Sequence, residues 1–165
     1  MMDAVPNFTP RAQEAIKKSR EMAIRYKVKV VRLEHLLLGL LVQGRGLLRE
    51  AFHMSGYDLD TFRIFVETSL KKGRAKKDSP QFAAEVKTIL ELAHRCASDL
   101  QQPYVGTEHI LLSILKFNCL SVQELFKGAA VDTKALVRAL RSQLLSTSKS
   151  TSSDLSSLGA PSLES

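Results

Sequence analysis

Apolar or small residues at positions 12, 15, 16, 19, 22, 23 and 26 follow the three–four spacing that lines one face of a helix. Thr9 followed by Pro10 predicts where that helix opens, with a hydroxyl cap and then a residue that needs no hydrogen-bonded N–H. The stripe recurs at Val86, Ile89, Leu90, Ala93, Ala97 and Leu100. A short extended link follows each stripe, at residues 28–32 and 101–106, the second containing Pro103. Each link leads into an almost wholly apolar helix that begins at a Glu-His pair, and such a helix belongs in the centre of a fold. Thr107 is positioned to cap the second of these helices. Further on, Ser121 with Glu124 three residues later reads as a capping box for a third helix, and Asp58 and Asp132 open a fourth, ending near residues 70 and 145. No segment sustains a two-residue alternation, so strands are not predicted.

These parallels amount to a duplication. LEHLLLGLL at 33–41 returns as TEHILLSIL at 107–115, an offset of 74. The same offset, without a gap, pairs Phe8 with Phe82, Ala23 with Ala97, Val31 with Val105, Glu50 with Glu124, Phe52 with Phe126 and Asp58 with Asp132. Two copies of one four-helix unit are therefore predicted, within a single all-α domain at 1–145. The first copy spans 8–70, a polar and basic linker 71–81, and the second copy 82–145. From 146 to 165 the chain is serine-rich, and a disordered tail is expected there.

Charge sharpens the contrast between the copies. The net charge is +7. Residues 1–81 carry 16 lysines and arginines against 9 acids, and the rest of the chain balances. The basic run at Lys71, Lys72, Arg74, Lys76 and Lys77 raises nucleic acid as a rival partner, although no aromatics are interleaved for base stacking. Cys96 and Cys119 stand 23 positions apart inside apolar patterns, which suits small core residues in a reducing compartment rather than a disulfide scaffold or metal site. No membrane span and no signal peptide is legible, so a cytoplasmic protein is expected. Phosphate-loop, dinucleotide, nucleophile-elbow and zinc-protease motifs are all missing, so neither catalytic residues nor a cofactor are predicted.

The strongest local signal is the repeated Glu-His pair. Glu34 and Glu108 fall in the first turn of their helices, where the macrodipole favours a carboxylate by ~0.3–1 kcal/mol. That alone accounts for them structurally. The functional alternative is a carboxylate that receives a guanidinium, whose planar fork offers it two parallel N–H donors. His35 and His109 read as buried imidazoles satisfied by a backbone carbonyl.

The doubled [GT]-x-E-H-[IL]-L-L-[GS]-[LI]-L string resembles the N-terminal domain of Clp/Hsp100 unfoldases, most nearly the ClpC and ClpA branch. FTPRAQEAI at 8–16, AIRYK at 23–27 and YVGTEHILLSIL at 104–115 carry the likeness further, so that it covers residues 8 to about 145. The resemblance implies eight helices in two repeats related by a pseudo-twofold axis. It also implies a non-catalytic module that docks adaptors or substrates for a protease-linked motor. In ClpC-like members the glutamate of each T-E-H motif helps to bind phosphoarginine, a degradation mark. The matching residues are Glu34 and Glu108, with Thr107 beside the second. Thr9 and Arg11 match the opening T-P-R of the first copy, where they are expected to serve phosphate; Ala83 and Glu85 replace them in the second. Arg32 and Leu33 stand where the second copy has Gly106 and Thr107. The second copy is therefore expected to be the better guanidinium site and the first the better phosphate site. Either an N-domain of a longer unfoldase or a free-standing relative fits, the serine-rich end reading as a natural tail or linker. Among stand-alone relatives are accessory subunits of the plastid Clp protease core, and such a structural role, in the plastid stroma, is the alternative to adaptor docking.

Overall fold

The computed structural model describes residues 8–76 and 79–158, with side chains as far as 146. Eight helices form among these residues: α1 (Pro10–Arg25), α2 (Leu33–Gln43), α3 (Leu47–Met54), α4 (Leu59–Ser69), α5 (Ala84–Asp99), α6 (Thr107–Phe117), α7 (Leu120–Gly128) and α8 (Thr133–Leu158). The protein is all-α, two four-helix repeats related by pseudo-twofold symmetry. Both ends of α1 and α2 recur 74 residues later in α5 and α6, and α4 and α8 open at the same offset.

Helix ends show why the register holds. Thr9 caps α1, its Oγ1 accepting the Ala12 N–H at 3.1 Å with Pro10 next in line. Asp58 caps α4 through the Thr61 N–H at 2.9 Å. After α1, α2 and α3 the chain turns through a left-handed residue at Lys27, Gly44 and Gly56, and 74 residues on through Gln101, Asn118 and Ala130. The one shift is α7, which starts a residue early. Gly46 before α3 adopts φ 72°, ψ −139°, a conformation closed to the leucine at its counterpart, Leu120, which joins the helix instead.

Two short pairings were not predicted. β1 (Val30–Val31) runs parallel to β2 (Gln81–Phe82), and Phe8 bridges to Val105 in the same sense. Each is too short for an alternating pattern to be visible in the sequence. Their logic is reciprocal: the segment that leads into each copy pairs with the link of the other. Thr9 N–H donates to the Val105 carbonyl at 2.9 Å, and Ala83 N–H to the Val31 carbonyl at 3.0 Å.

The last helix also exceeds expectation. Its backbone runs past the predicted boundary near 145 to Leu158, through serines whose composition predicts disorder. No glycine or proline interrupts residues 133–158, and the first breakers are Gly159 and Pro161. Residues 159–165 of the expected tail lie outside the described residues, as do 1–7.

The core centres on α2 and α6. Eight of the eleven α2 residues and seven of the eleven in α6 are buried. Burial of each such leucine or isoleucine is worth roughly 1.5–3 kcal/mol. Phe62 stacks obliquely between Phe52 and Phe126, at 5.8 and 4.7 Å between centroids, joining the two repeats. Tyr57 Oη accepts the Asp132 N–H at 2.7 Å and ties the same halves together.

Candidate functional site

Both Glu-His helices start with the same device. The buried His35 and His109 occupy the third helical position and turn back, Nδ1 accepting the N–H of Arg32 at 3.0 Å and of Gly106 at 2.9 Å. The expected partner, a carbonyl, is thus replaced by a backbone donor, because a helix N-terminus has spare N–H groups and no spare carbonyls. Accepting at Nδ1 fixes both rings in the tautomer protonated at Nε2 when neutral, and His109 Nε2 meets Gln102 Oε1 at 2.5 Å. Burial pushes His109 down to about 4. His35 is lowered as well, by burial first, with Glu34 opposing and Arg32 assisting.

With the histidines locked, the glutamates project from the second helical position at the domain surface, each half-buried. Their surroundings differ. Glu108 folds back over its own helix start, where a Cβ on Gly106 would lie 2.6 Å from Oε1, so that only glycine leaves room for this carboxylate position. Thr107 Oγ1 donates to the same oxygen at 3.2 Å. At the first copy Arg32 carries the Cβ that Gly106 lacks, and Glu34 reaches instead to the other repeat, accepting Ser121 Oγ at 3.1 Å. Two capping expectations change accordingly. Gly106, not Thr107, is the cap of α6, and Thr107 is its buried first residue. Cys119, not Ser121, precedes α7. The Ser121 hydroxyl is spent on Glu34 and on Cys119 Sγ, 3.2 Å away.

The exchange of entry segments regroups the other predicted residues. Thr9, paired through its backbone with Val105, lies beside the start of α6, the helix of Glu108, rather than beside Glu34. Exposed Arg11 is the second residue of α1, its guanidinium over Gly46, where a Cβ would come within 2.0 Å of Nη1. Ala83 is paired in the same way with Val31, at the Glu34 end. The expected division, phosphate residues with the first copy and guanidinium residues with the second, is thus undone by the topology. Thr9, Thr107 and Glu108 adjoin at one end of the molecule, with Arg11 on the same helix opening as Thr9. Glu34, Arg32 and Ser121 stand at the other.

The Glu34 end opens into a groove of about 1000 Å³ between residues 27–35, residues 69–75 and α7. It was not visible as a site in the sequence. The signal available was the cationic link Lys27, Lys29 and Arg32, set against Gln101, Pro103 and Gly106 in the second copy. Both cysteines are free, and burial raises Cys96. Among the described residues, no cluster of three histidines, cysteines or acids is placed to hold a metal ion, and no helix is long and apolar enough to cross a membrane.

The structure defines a class of small, duplicated all-α domain with paired, histidine-braced glutamates at helix N-termini. Its sequence matches the model of the Clp repeat N-terminal domain over residues 7–129 and again over 81–162. The chain belongs to that family. It is 32% identical over 109 residues to the negative regulator of genetic competence ClpC/MecB of Bacillus subtilis strain 168, an alignment covering 66% of this chain and 14% of that protein. The N-terminal domain of the caseinolytic protease associated chaperone ClpD from Arabidopsis thaliana superposes with a TM-score of 0.69 at 26% identity, covering 84% of this chain and 97% of that one. A ClpV N-domain in complex with a VipB peptide shares the fold at a TM-score of 0.66 and 18% identity, covering 86% and 89%. The chain spans only 14–16% of the length of the curated relatives it matches first.

Proposed function

We propose that this chain is a non-catalytic docking module of the Clp chaperone–protease system, and that it recognises phosphoarginine-marked segments of adaptors or substrates at one composite site. The relatives' roles support the module: a ClpV N-domain of the same fold is complexed with a peptide. The observation that carries the site is the 2.9 Å bond from Thr9 N–H to the Val105 carbonyl. It sets the opening of α1 beside Gly106, Thr107 and Glu108. At that end Glu108 accepts the guanidinium in a charge-assisted pair. The Thr9 hydroxyl, Arg11 and the first N–H groups of α6 serve the phosphate, since the positive end of a helix favours an anion. Thr9 already accepts from Ala12, which leaves its own O–H free to donate. Glu34 faces Ser121 and a neighbouring cation, and makes the weaker site.

Ligand selectivity tests this reading. In calorimetric titrations phosphoarginine should bind at least about tenfold more tightly than arginine or inorganic phosphate alone, because only it meets both halves of the site. Thr9→Ala with Arg11→Ala should erase that preference while leaving the fold intact. Equal affinity for arginine and phosphoarginine would overturn the composite site.

A further inference from the structure

The groove at the Glu34 end carries a second partner chemistry. We infer that it docks an acidic polypeptide segment with apolar anchors, belonging to a partner protein. The inference rests on the docking-module reading but not on the phosphoarginine site, which lies at the opposite end.

Five cations line the groove: Lys27, Lys29 and Arg32 from the α1–α2 link, and Lys71 and Arg74 from the inter-repeat linker. All five are exposed, and none makes a salt bridge among the described residues. The four ion pairs that do form lie elsewhere, within α1 and among Arg49, Asp60, Arg63 and Glu67. The cations do not hang on loose chain. Gly73 N–H donates to the Tyr26 carbonyl at 2.7 Å and Ala75 N–H to the Lys27 carbonyl at 2.9 Å, so the linker is bonded along the link. Two basic segments that would repel each other are therefore held side by side, and a partner's negative charge relieves that repulsion.

The fold does not require this arrangement. The second copy builds the same link, including the left-handed turn at Gln101, with no cation in it. The floor is apolar: Val30, Phe65 and Leu125 face the groove between the cations. Such a floor suits side chains of a polypeptide and gives a phosphodiester backbone nothing to bind. Phe65 offers no stacking platform, because its ring is packed on Gly128, where a Cβ would lie 2.8 Å away. An acidic segment interspersed with apolar residues fits both the rim and the floor.

The test is fluorescence anisotropy with a labelled peptide of alternating glutamate and leucine, beside the same peptide with lysine for glutamate and an oligothymidylate. The glutamate peptide should bind, with affinity falling steeply as salt rises, and the lysine peptide should not. Lys27→Glu with Lys29→Glu should weaken it at least about tenfold. Lys71→Glu with Arg74→Glu, on exposed linker positions, should do the same with an unchanged thermal midpoint. Glu108→Ala should bind it as wild type does, which separates this proposal from the phosphoarginine site. No binding at low salt, binding indifferent to both double substitutions, or displacement of the peptide by the oligothymidylate would each overturn it.

Discussion

The two repeats share a backbone and differ in what they expose. Left-handed turns recur at the same offset of 74, at Lys27 and Gln101, Gly44 and Asn118, Gly56 and Ala130. So do the histidine braces at His35 and His109. Set against this constancy, Arg32 opposes Gly106, Lys29 opposes Pro103, and Thr9 opposes Ala83. Duplication thus kept what the chain needs in order to turn and cap its helices. The surfaces at the two helix starts became free to diverge, one towards a carboxylate site and one towards a cationic groove. The reciprocal crossing of entry segments sets the opening of each copy beside the link that leads into the Glu-His helix of the other.

Exchanging residues between the copies breaks the comparison most severely in the core. A Cβ on Gly39 of α2 would lie 2.4 Å from the Ala15 carbonyl oxygen and 2.7 Å from the Ser19 nitrogen, both backbone atoms of α1. The second copy has Ser113 at this position, its hydroxyl turned back to the His109 carbonyl at 2.9 Å. Helix α1 therefore approaches α2 across a glycine, in a way its counterpart helices need not. Grafting the second copy's residue, Gly39→Ser, should cost about 3 kcal/mol, at the upper end of overpacking effects. Urea denaturation measures it, and a loss below about 1 kcal/mol would mean that α1 can slide away.

A change of pH should act next most strongly. His109 is neutral when folded, its pKa pushed down to about 4 by burial, and returns to about 6.5 in the unfolded chain. Between those values the unfolded state binds more protons, so stability falls as the pH drops from about 6.5 towards 4. The full shift corresponds to about 3 kcal/mol at the acid end of that window. His35 moves in the same direction. Denaturation midpoints between pH 7 and 4 should show the fall, and His109→Gln should flatten part of it. A flat wild-type profile would contradict the braced, neutral imidazole.

A smaller effect of opposite sign is expected at the third turn. Ala130 holds φ 59° where the first copy uses Gly56. Ala130→Gly should stabilise by about 0.5–1 kcal/mol, since a left-handed alanine is strained and a glycine is not. A destabilised variant would show that the gain in unfolded-state entropy outweighs the relieved strain.

Much of this architecture is legible in the residues themselves. The stripes, the Thr9-Pro10 opening and the offset of 74 contain the helices and the duplication, because helix periodicity and capping are local. The regrouping of Thr9 with Glu108 is not legible there. It depends on the pairing of Phe8 with Val105, and a two-residue parallel contact leaves no period in the sequence. Ser121 misleads for a related reason: serine with a glutamate three residues later satisfies a capping box locally, but here a carboxylate from the other repeat takes the hydroxyl. The length of α8 is hidden as well, since serine content argues for disorder while the absence of breakers before Gly159 permits a helix.

The most direct test of the account sets the two glutamates against each other in calorimetric titrations with phosphoarginine. Glu108→Ala should weaken binding by roughly 10- to 150-fold, the equivalent of about 1.5–3 kcal/mol for a lost charge-assisted pair. Gly106→Ala should weaken it too, with little change in stability, because the displaced group is the end of the Glu108 side chain. Glu34→Ala should change affinity by less than about threefold. Wild-type binding untouched by Glu108→Ala, or equally reduced by Glu34→Ala, would contradict a single composite site at the start of α6.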